Sequence, residues 1–292
     1  LALGDYNGDG ADDIAIGGRY DAPGQCCLGR VDVYFGGSSI DDVPDWSRIG
    51  AVSGQAFGGQ LIAADVSGDG RDDLLVYQGG AFYLYTGGTA LTATGISLPA
   101  CYHHTAGGDL NGDGYQDTLC QTVSCSGGAC SAAGVVQLWG AGGVVASVNL
   151  DIPDDGVWDH PDDRSTVMAR LGDVNRDGFD DIALGEAGPD TLGSLWVYLG
   201  GDVVGPVFDP VPDGLYHGDV FRGRVGYSIA GGADVNGDGF NDFVSGAPGE
   251  GQPYSAAPGR ALLFYGFPFD MNPDIVVQGG GVSEWFGWAC SL

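Results

Sequence analysis

Asp234, Asn236, Asp238 and Asp242 occupy the first, third, fifth and ninth positions of one short segment, D-x-N-x-D-G-x-x-D, with Gly239 at the sixth. Oxygen-bearing side chains at alternate positions, followed by a residue that turns at positive φ without a Cβ clash, let a short loop wrap hard donors around Ca²⁺. The pattern occurs four more times, as Asp5/Asn7/Asp9/Asp13, Asp65/Ser67/Asp69/Asp73, Asp109/Asn111/Asp113/Asp117 and Asp173/Asn175/Asp177/Asp181. The seventh residues, Ala11, Arg71, Tyr115, Phe179 and Phe240, share no side-chain chemistry. Each is expected to offer its backbone carbonyl, leaving its side chain free to vary. One such segment would be weak evidence, because Asp, Asn and Gly crowd ordinary turns. Five copies with the ninth-position Asp kept in each predict five Ca²⁺ loops.

A helix–loop–helix calcium hand needs a bidentate acid at position twelve. Here that position holds Ile16, Val76, Cys120, Leu184 and Ser245. Each loop runs instead into a short apolar stretch stopped by Gly or a turn, such as Ile14-Ala15-Ile16-Gly17 or Leu74-Leu75-Val76-Tyr77. Buried strands read this way, so the metal loop is expected at the bend of a β-hairpin.

The 292 residues include 56 Gly and carry a formal charge of −29. Glycine at that level beside 43% hydrophobic residues points to short strands and tight turns. All 39 acids except Glu186, Glu250 and Glu284 are Asp, and every basic residue is Arg. Such acidity argues against nucleic acid or an anionic membrane as partner. No apolar stretch is long enough to span a bilayer, so no membrane insertion is expected. Seven Cys without zinc-type spacing point to an oxidising compartment. Local bridges are expected among Cys101, Cys120, Cys125 and Cys130, Cys26 and Cys27 form a vicinal pair, and the odd count leaves one thiol over. With no initiator Met or signal peptide, the chain reads as a mature or excised portion of an exported protein.

The first Asp of successive loops advances by 60, 44, 64 and 61 residues. Each repeat offers four strand candidates: one into the loop, one out of it, an aromatic third ending in Gly (as in Phe82–Gly88), and a looser fourth. Four-stranded units repeated radially form a β-propeller. The expectation is all-β, one propeller domain over 1–292 with five antiparallel blades. Its repeats run over 286–292 plus 1–52, 57–97, 102–150, 165–216 and 226–279. The C-terminal strand would complete the first blade, since residues 1–4 run straight into a loop. Five blades cut from a larger propeller, or a last strand inserted into a neighbour, are the alternatives.

Phe57-Gly58 and Phe286-Gly287 ahead of loop positions, with Gly246-Ala247-Pro248 after the last loop, resemble the FG-GAP repeat family, the units of the integrin α-subunit head. Gly185-Glu186-Ala187-Gly188-Pro189 is a looser copy. The third repeat departs from the pattern, being short and lacking Phe-Gly. Integrin heads are seven-bladed and this chain supplies five repeats. Similar repeats occur in bacterial exported proteins, fungal lectins and polysaccharide-degrading enzymes. The resemblance implies a Ca²⁺-stabilised propeller, extracellular or cell-surface location and a recognition role, without naming the partner.

In a propeller the metal loops share one face with the third-to-fourth turns. The opposite face is built from second-to-third turns and links between blades. Tyr102, His103, His104, Trp158, His160, Tyr216 and His217 are placed in those links as ligand-binding candidates. Rings beside carboxylates suit a sugar, so a protein or carbohydrate ligand is expected on that face. Packing of the loops themselves is the plainer role for the same residues. No Gly-x-Ser-x-Gly elbow, phosphate loop or His-Glu-x-x-His motif is present. Asp is too abundant for any carboxylate pair to be informative, so no enzyme is expected. A recognition or adhesion module is the reading, with a lectin-like propeller or an architectural domain of a surface protein as alternatives.

Overall fold

The computed structural model describes residues 1–19, 28–38, 40–99, 101, 103–126, 129–151, 166–188, 192–201, 208–220, 222–251, 258–266, 270–281 and 285–292. Its twenty strands form five four-stranded antiparallel sheets, each a meander in chain order. The first holds β1 (Ala2–Gly4), β2 (Asp13–Gly18), β3 (Arg30–Tyr34) and β4 (Trp46–Ile49). The second holds β5 (Leu61–Ala64), β6 (Asp73–Gln78), β7 (Ala81–Thr86) and β8 (Thr92–Pro99). The third holds β9 (His103–Gly108), β10 (Asp117–Ser126), β11 (Ala129–Gly140) and β12 (Gly143–Asn149). The fourth holds β13 (Thr166–Gly172), β14 (Asp181–Glu186), β15 (Ser194–Tyr198) and β16 (Gly214–His217), and the fifth β17 (Ser228–Ala233), β18 (Asp242–Ala247), β19 (Arg260–Phe264) and β20 (Ile275–Gln278). This is the strand complement of a five-bladed propeller. Among the described residues no helix is long and apolar enough to cross a membrane.

The chain falls into two compact units. One comprises Leu1–Ala106, Gly114–Gln116 and Trp139–Val144, the other Gly107–Asp113, Asp117–Leu138 and Val145–Leu292. In the first unit, Ala15, Val31 and Val33 pack with Phe57, Leu74, Val76 and Tyr85, while Leu75, Phe82 and Leu84 pack on their other side with Trp139. In the second, Leu119, Val136 and Leu138 pack with Ile182, Leu184 and Trp196, and Ala183, Leu195 and Val197 with Phe243 and Phe264. A strand buried on both faces must be apolar throughout, and one buried on a single face alternates. β6 and β15, apolar on both faces, are the first kind; β3 and β19, with alternating burial, are the second.

The Phe-Gly element is a turn wedged against the preceding sheet, not part of a strand. Phe57 bridges Gly29, and Gly58 (φ 77°) lies so close to Gly17 that a Cβ there would strike its carbonyl. Val225-Gly226 does the same against Gly193 and Gly185, with Val in the place that Phe takes in Phe57-Gly58 and Phe286-Gly287. Phe286-Gly287 docks on Gly259 and Gly246, and Ser228 Oγ donates to the Gly287 carbonyl at 3.0 Å.

This corrects the expectation that the C-terminal strand completes the first sheet. The opening strand needs only the few residues directly before the loop, as Leu61–Ala64 shows, and Ala2–Gly4 supply them by pairing with Asp13–Ala15. The described residues 285–292 form no strand.

Gly185→Ala drives a Cβ into the Gly226 backbone, whereas Gly201 has open space around its Cβ position. Urea denaturation is expected to show a loss of about 1–3 kcal/mol for Gly185→Ala and little change for Gly201→Ala.

Candidate functional site

All five D-x-[NS]-x-D-G-x-x-D segments join the first strand of a sheet to its second, as expected. In loop one the Asp5 carboxylate accepts N–H groups from Gly8 (2.7 Å), Asp9 (3.1 Å) and Gly10 (2.8 Å). Asn7 Oδ1 accepts from Asp9 N at 2.8 Å and Asp9 Oδ1 from Ala11 N at 2.9 Å. Loop five repeats these bonds with Asp234, Asn236 and Asp238. In loops three and four, Asn111 Oδ1 accepts from Asp113 N (3.1 Å) and Asn175 Oδ1 from Asp177 N (3.0 Å). The amide groups of Asn111 and Asn175 donate back to the Asp113 and Asp177 carboxylates, at 3.2 and 2.8 Å. Loop two has Ser at position three, and the contacts change. The Ser67 hydroxyl lies between Asp65 Oδ1 (3.5 Å) and Asp73 Oδ1 (3.4 Å), and Ser67 N donates to Asp73 Oδ2 at 2.9 Å.

The position-three side chains expected to ligate an ion, Asn7, Ser67, Asn111, Asn175 and Asn236, make hydrogen bonds within their own loops, the four Asn to position five and Ser67 to the carboxylates at one and nine. The physical reason is local. A short amide or hydroxyl reaches backbone and side-chain groups two residues away, so it folds the loop by mimicking a backbone turn. The fourth position also adopts positive φ, at Gly8, Gly68, Gly112 and Gly237, and at Arg176 (φ 64°).

The ninth-position Asp is different in kind. Asp13, Asp73, Asp117, Asp181 and Asp242 are fully buried. Asp13 Oδ2 accepts from Tyr6 N (2.8 Å) and Asn7 N (3.2 Å), and its Oδ1 accepts from Gly36 N (2.7 Å) at the end of the third strand. The same tie to the third strand joins Asp73 to Gly87, Asp181 to Gly200 and Asp242 to Gly266, at 2.8–3.0 Å. The Gly that ends the third strand is required there. A Cβ on Gly36, Gly87, Gly200 or Gly266 would meet the carbonyl of loop position eight (Asp12, Asp72, Asp180 or Asn241).

Successive loops are joined. Position eight donates its N–H to the position-one carbonyl of the loop before it: Asp72 to Asp5 (3.0 Å), Gln116 to Asp65 (2.8 Å), Asp180 to Asp109 (3.0 Å) and Asn241 to Asp173 (3.2 Å). The position-seven side chain, expected to vary freely, is in fact placed on position four of the previous loop. Arg71 covers Gly8, Tyr115 covers Gly68, Phe179 covers Gly112, and the Phe240 ring lies 5.5 Å from the Arg176 guanidinium.

Every loop offers only oxygen donors, the chemistry suited to Ca²⁺ or Mg²⁺. Burial pushes the Asp73 carboxyl up to about 6, with the Asp65 charge adding, and that of Asp181 up to about 7, with Asp177 and Asp173 adding. Burial raises Asp13 as well. An ionised carboxylate so placed is costly unless a cation offsets it, so the donor set fits a bound ion. As the side chains stand, their oxygens face loop N–H groups. Among the described residues no three Asp, Glu, His or Cys side chains converge on one point.

Tyr102, Trp158 and His160 lie outside the described residues, as do Cys26 and Cys27. His103 and His104 are on β9 and Tyr216 and His217 on β16, not in links between sheets. His104 is buried, edge-on to Phe82 at 4.7 Å, and Tyr216 packs edge-on to Phe264 at 5.5 Å. His103 and His217 remain exposed. The alternation of a strand divides each pair between two faces, which their adjacency in sequence concealed. Cys101 and Cys120 are each disulfide-bonded, Cys125 and Cys130 are cross-strand neighbours in register, and Cys290 is a free thiol.

Asp181→Ala strips the acceptor from the buried Val174 and Gly200 N–H groups. A loss of roughly 2–4 kcal/mol is expected in chelator. Asp177→Ala, on the exposed rim, should cost under about 1 kcal/mol there. Chemical denaturation in EDTA measures both.

The FG-GAP repeat model matches residues 225–264. Integrin alpha pat-2 of Caenorhabditis briggsae is 28% identical over 255 residues, covering 84% of this chain and 17% of that protein. Integrin alpha-V of Gallus gallus is 24% identical over 281 residues, 94% of this chain and 22% of that protein. Integrin alpha-5 of Xenopus laevis is 35% identical over 118 residues, 37% of this chain and 11% of that protein. The chain therefore spans less than a quarter of the length of these relatives. Residues 225–264 thus match the FG-GAP repeat, and with its Phe-Gly turns, acidic hairpin loops and five antiparallel sheets the chain is similar to integrin α chains over most of its length.

Proposed function

We propose that this chain is an extracellular, non-catalytic adhesion module whose five hairpin loops each hold a structural Ca²⁺. The similarity to integrin α chains over 84% and 94% of its length carries the reading. Within each loop, the carboxylates at positions one, five and nine, the side-chain oxygen at three (Asn7, Ser67, Asn111, Asn175 or Asn236) and the carbonyl at seven would be the ligands. On binding, the position-three oxygens would exchange their loop partners for the ion. The ion would neutralise the cluster and fix the hairpin. Disulfide-bonded Cys101 and Cys120 support an oxidising location outside the cell. Chelation is expected to lower the melting temperature substantially, because an ion bound only by the folded state stabilises it by mass action. An unchanged melt in EDTA, with no heat of Ca²⁺ binding by calorimetry, would overturn the metal assignment.

The ligand would be a protein bound at the end of the sheets away from the loops. In the first unit that end carries a cleft of about 300 Å³ lined by Arg19, Ala56, Gly59, Gln60, Tyr77 and Cys101. Arg19 lies just beyond β2 and Gln60 just before β5, which places the cleft at the second-to-third turns and the inter-sheet link. The test is an array of extracellular-matrix proteins and glycans, probed with the Ca²⁺-loaded protein and in EDTA. A Ca²⁺-dependent protein hit that weakens at least tenfold in Arg19→Glu, with the melt unchanged, is the expected result. Hits on glycans alone would move the assignment to a carbohydrate binder, and a blank from folded protein would leave an architectural role.

A further inference from the structure

The loops are in contact through a clamp whose form differs from junction to junction. Between loops one and two it has two hydrogen bonds of opposite sense. Asp72 N donates to the Asp5 carbonyl at 3.0 Å, and Asp5 N donates to Asp72 Oδ2 at 2.9 Å. Between loops three and four the arrangement recurs, with Asp180 N to the Asp109 carbonyl at 3.0 Å and Asp109 N to Asp180 Oδ2 at 2.9 Å. The Asp180 carboxylate is itself fixed by the Arg170 guanidinium at 2.8 Å. At the other two junctions position eight is Gln116 or Asn241, and its N–H reaches the position-one carbonyl of Asp65 or Asp173.

Asp72 and Asp180 are not members of the proposed ligand set, yet each stands between two of its members. Each holds both the N–H and the carbonyl of the position-one residue of the preceding loop, and each is followed directly by the buried position-nine carboxylate of its own loop. A rotation or shift at one end is transmitted over a single residue. The geometry points to Asp72 and Asp180 as positioning residues that couple Ca²⁺ binding between neighbouring loops. Filling loop two orders position nine and, through Asp72, presents the first ligand of loop one. Filling loop four does the same for loop three through Asp180. A first ion that fixes a shared element lowers the ordering cost for the second, which is positive cooperativity.

The inference rests on the Ca²⁺ reading of the loops, and the experiment separates the two. Ca²⁺ is titrated by isothermal calorimetry into the intact chain, into Asp69→Ala, into Asp72→Ala and into the double variant, with circular dichroism as the check on folding. Asp69 is on the exposed rim of loop two, and its loss disables that loop. Coupling predicts that Asp69→Ala removes one ion and weakens a second by about fivefold or more. In the Asp72→Ala background the same change removes one ion and leaves the rest within about twofold. If Asp69→Ala leaves all remaining affinities within about twofold in the unmutated background, the loops are independent and the inference fails while the Ca²⁺ reading stands. If the intact chain takes up no Ca²⁺, both fail. Should Asp72→Ala not fold, Asp177→Ala and Asp180→Ala give the same cycle at the junction of loops three and four.

Discussion

The buried carboxylate at the ninth loop position is the interaction on which each sheet depends. It lies at the start of the second strand, reaches back to backbone N–H groups of its own loop, and reaches across to the Gly N–H that ends the third strand. That one side chain joins the second strand, its own loop and the end of the third strand. A neutral amide of the same size would keep one acceptor oxygen and turn its NH2 toward the N–H groups on the other side, and an ionised carboxylate brings an uncompensated charge into a buried site. The burial-driven rise of Asp73 and Asp181 is the electrostatic signature of that conflict. A divalent cation bound in the rest of the loop would relieve it, which links the fold to the proposed metal.

Two kinds of glycine accompany this carboxylate, for different reasons. Gly10 and its counterparts at position six supply positive φ, the ordinary need of a tight turn. Gly36, Gly87, Gly200 and Gly266 supply absence of volume, because the loop carbonyl at position eight passes where a Cβ would be. The Phe-Gly turn uses both properties at once. Gly58 and Gly226 are left-handed and lie against Gly17 and Gly185 of the preceding sheet. Much of the chain's glycine content therefore follows from backbones approaching one another at repeating points. Part of the acidity has an equally local origin, since three carboxylates in each of five loops make 15 of the 39 acids.

Position seven shows how a residue can be variable in type and still constrained in place. Arg71, Tyr115, Phe179 and Phe240 have no chemistry in common, but each lies over position four of the previous loop. Position four is correspondingly Gly wherever a bulky ring or aliphatic stem needs room. Arg176, the exception, stacks its guanidinium on Phe240 instead.

The sequence alone determined the five acidic hairpin loops, the four-strand repeat, the third-strand aromatics and the all-β class, because each is written in short motifs or in the 44–64-residue steps at which they recur. It also marked the third-strand Gly, though without its reason. The tertiary structure decided what depends on which backbones meet. It turned the ninth carboxylate toward the third strand, identified Val225-Gly226 as a counterpart of Phe57-Gly58, and made Ala2–Gly4 sufficient as an opening strand. At position three, spacing marked Ser67, Asn111 and Asn175 as oxygen donors, while which neighbour each oxygen meets was decided by the folded loop. Tertiary contacts also placed His104 and Tyr216 against Phe82 and Phe264, partners far along the chain in the second case. Periodicity fixes which face of a strand a residue takes, but whether that face meets water or another sheet is a long-range contact that no local spacing encodes.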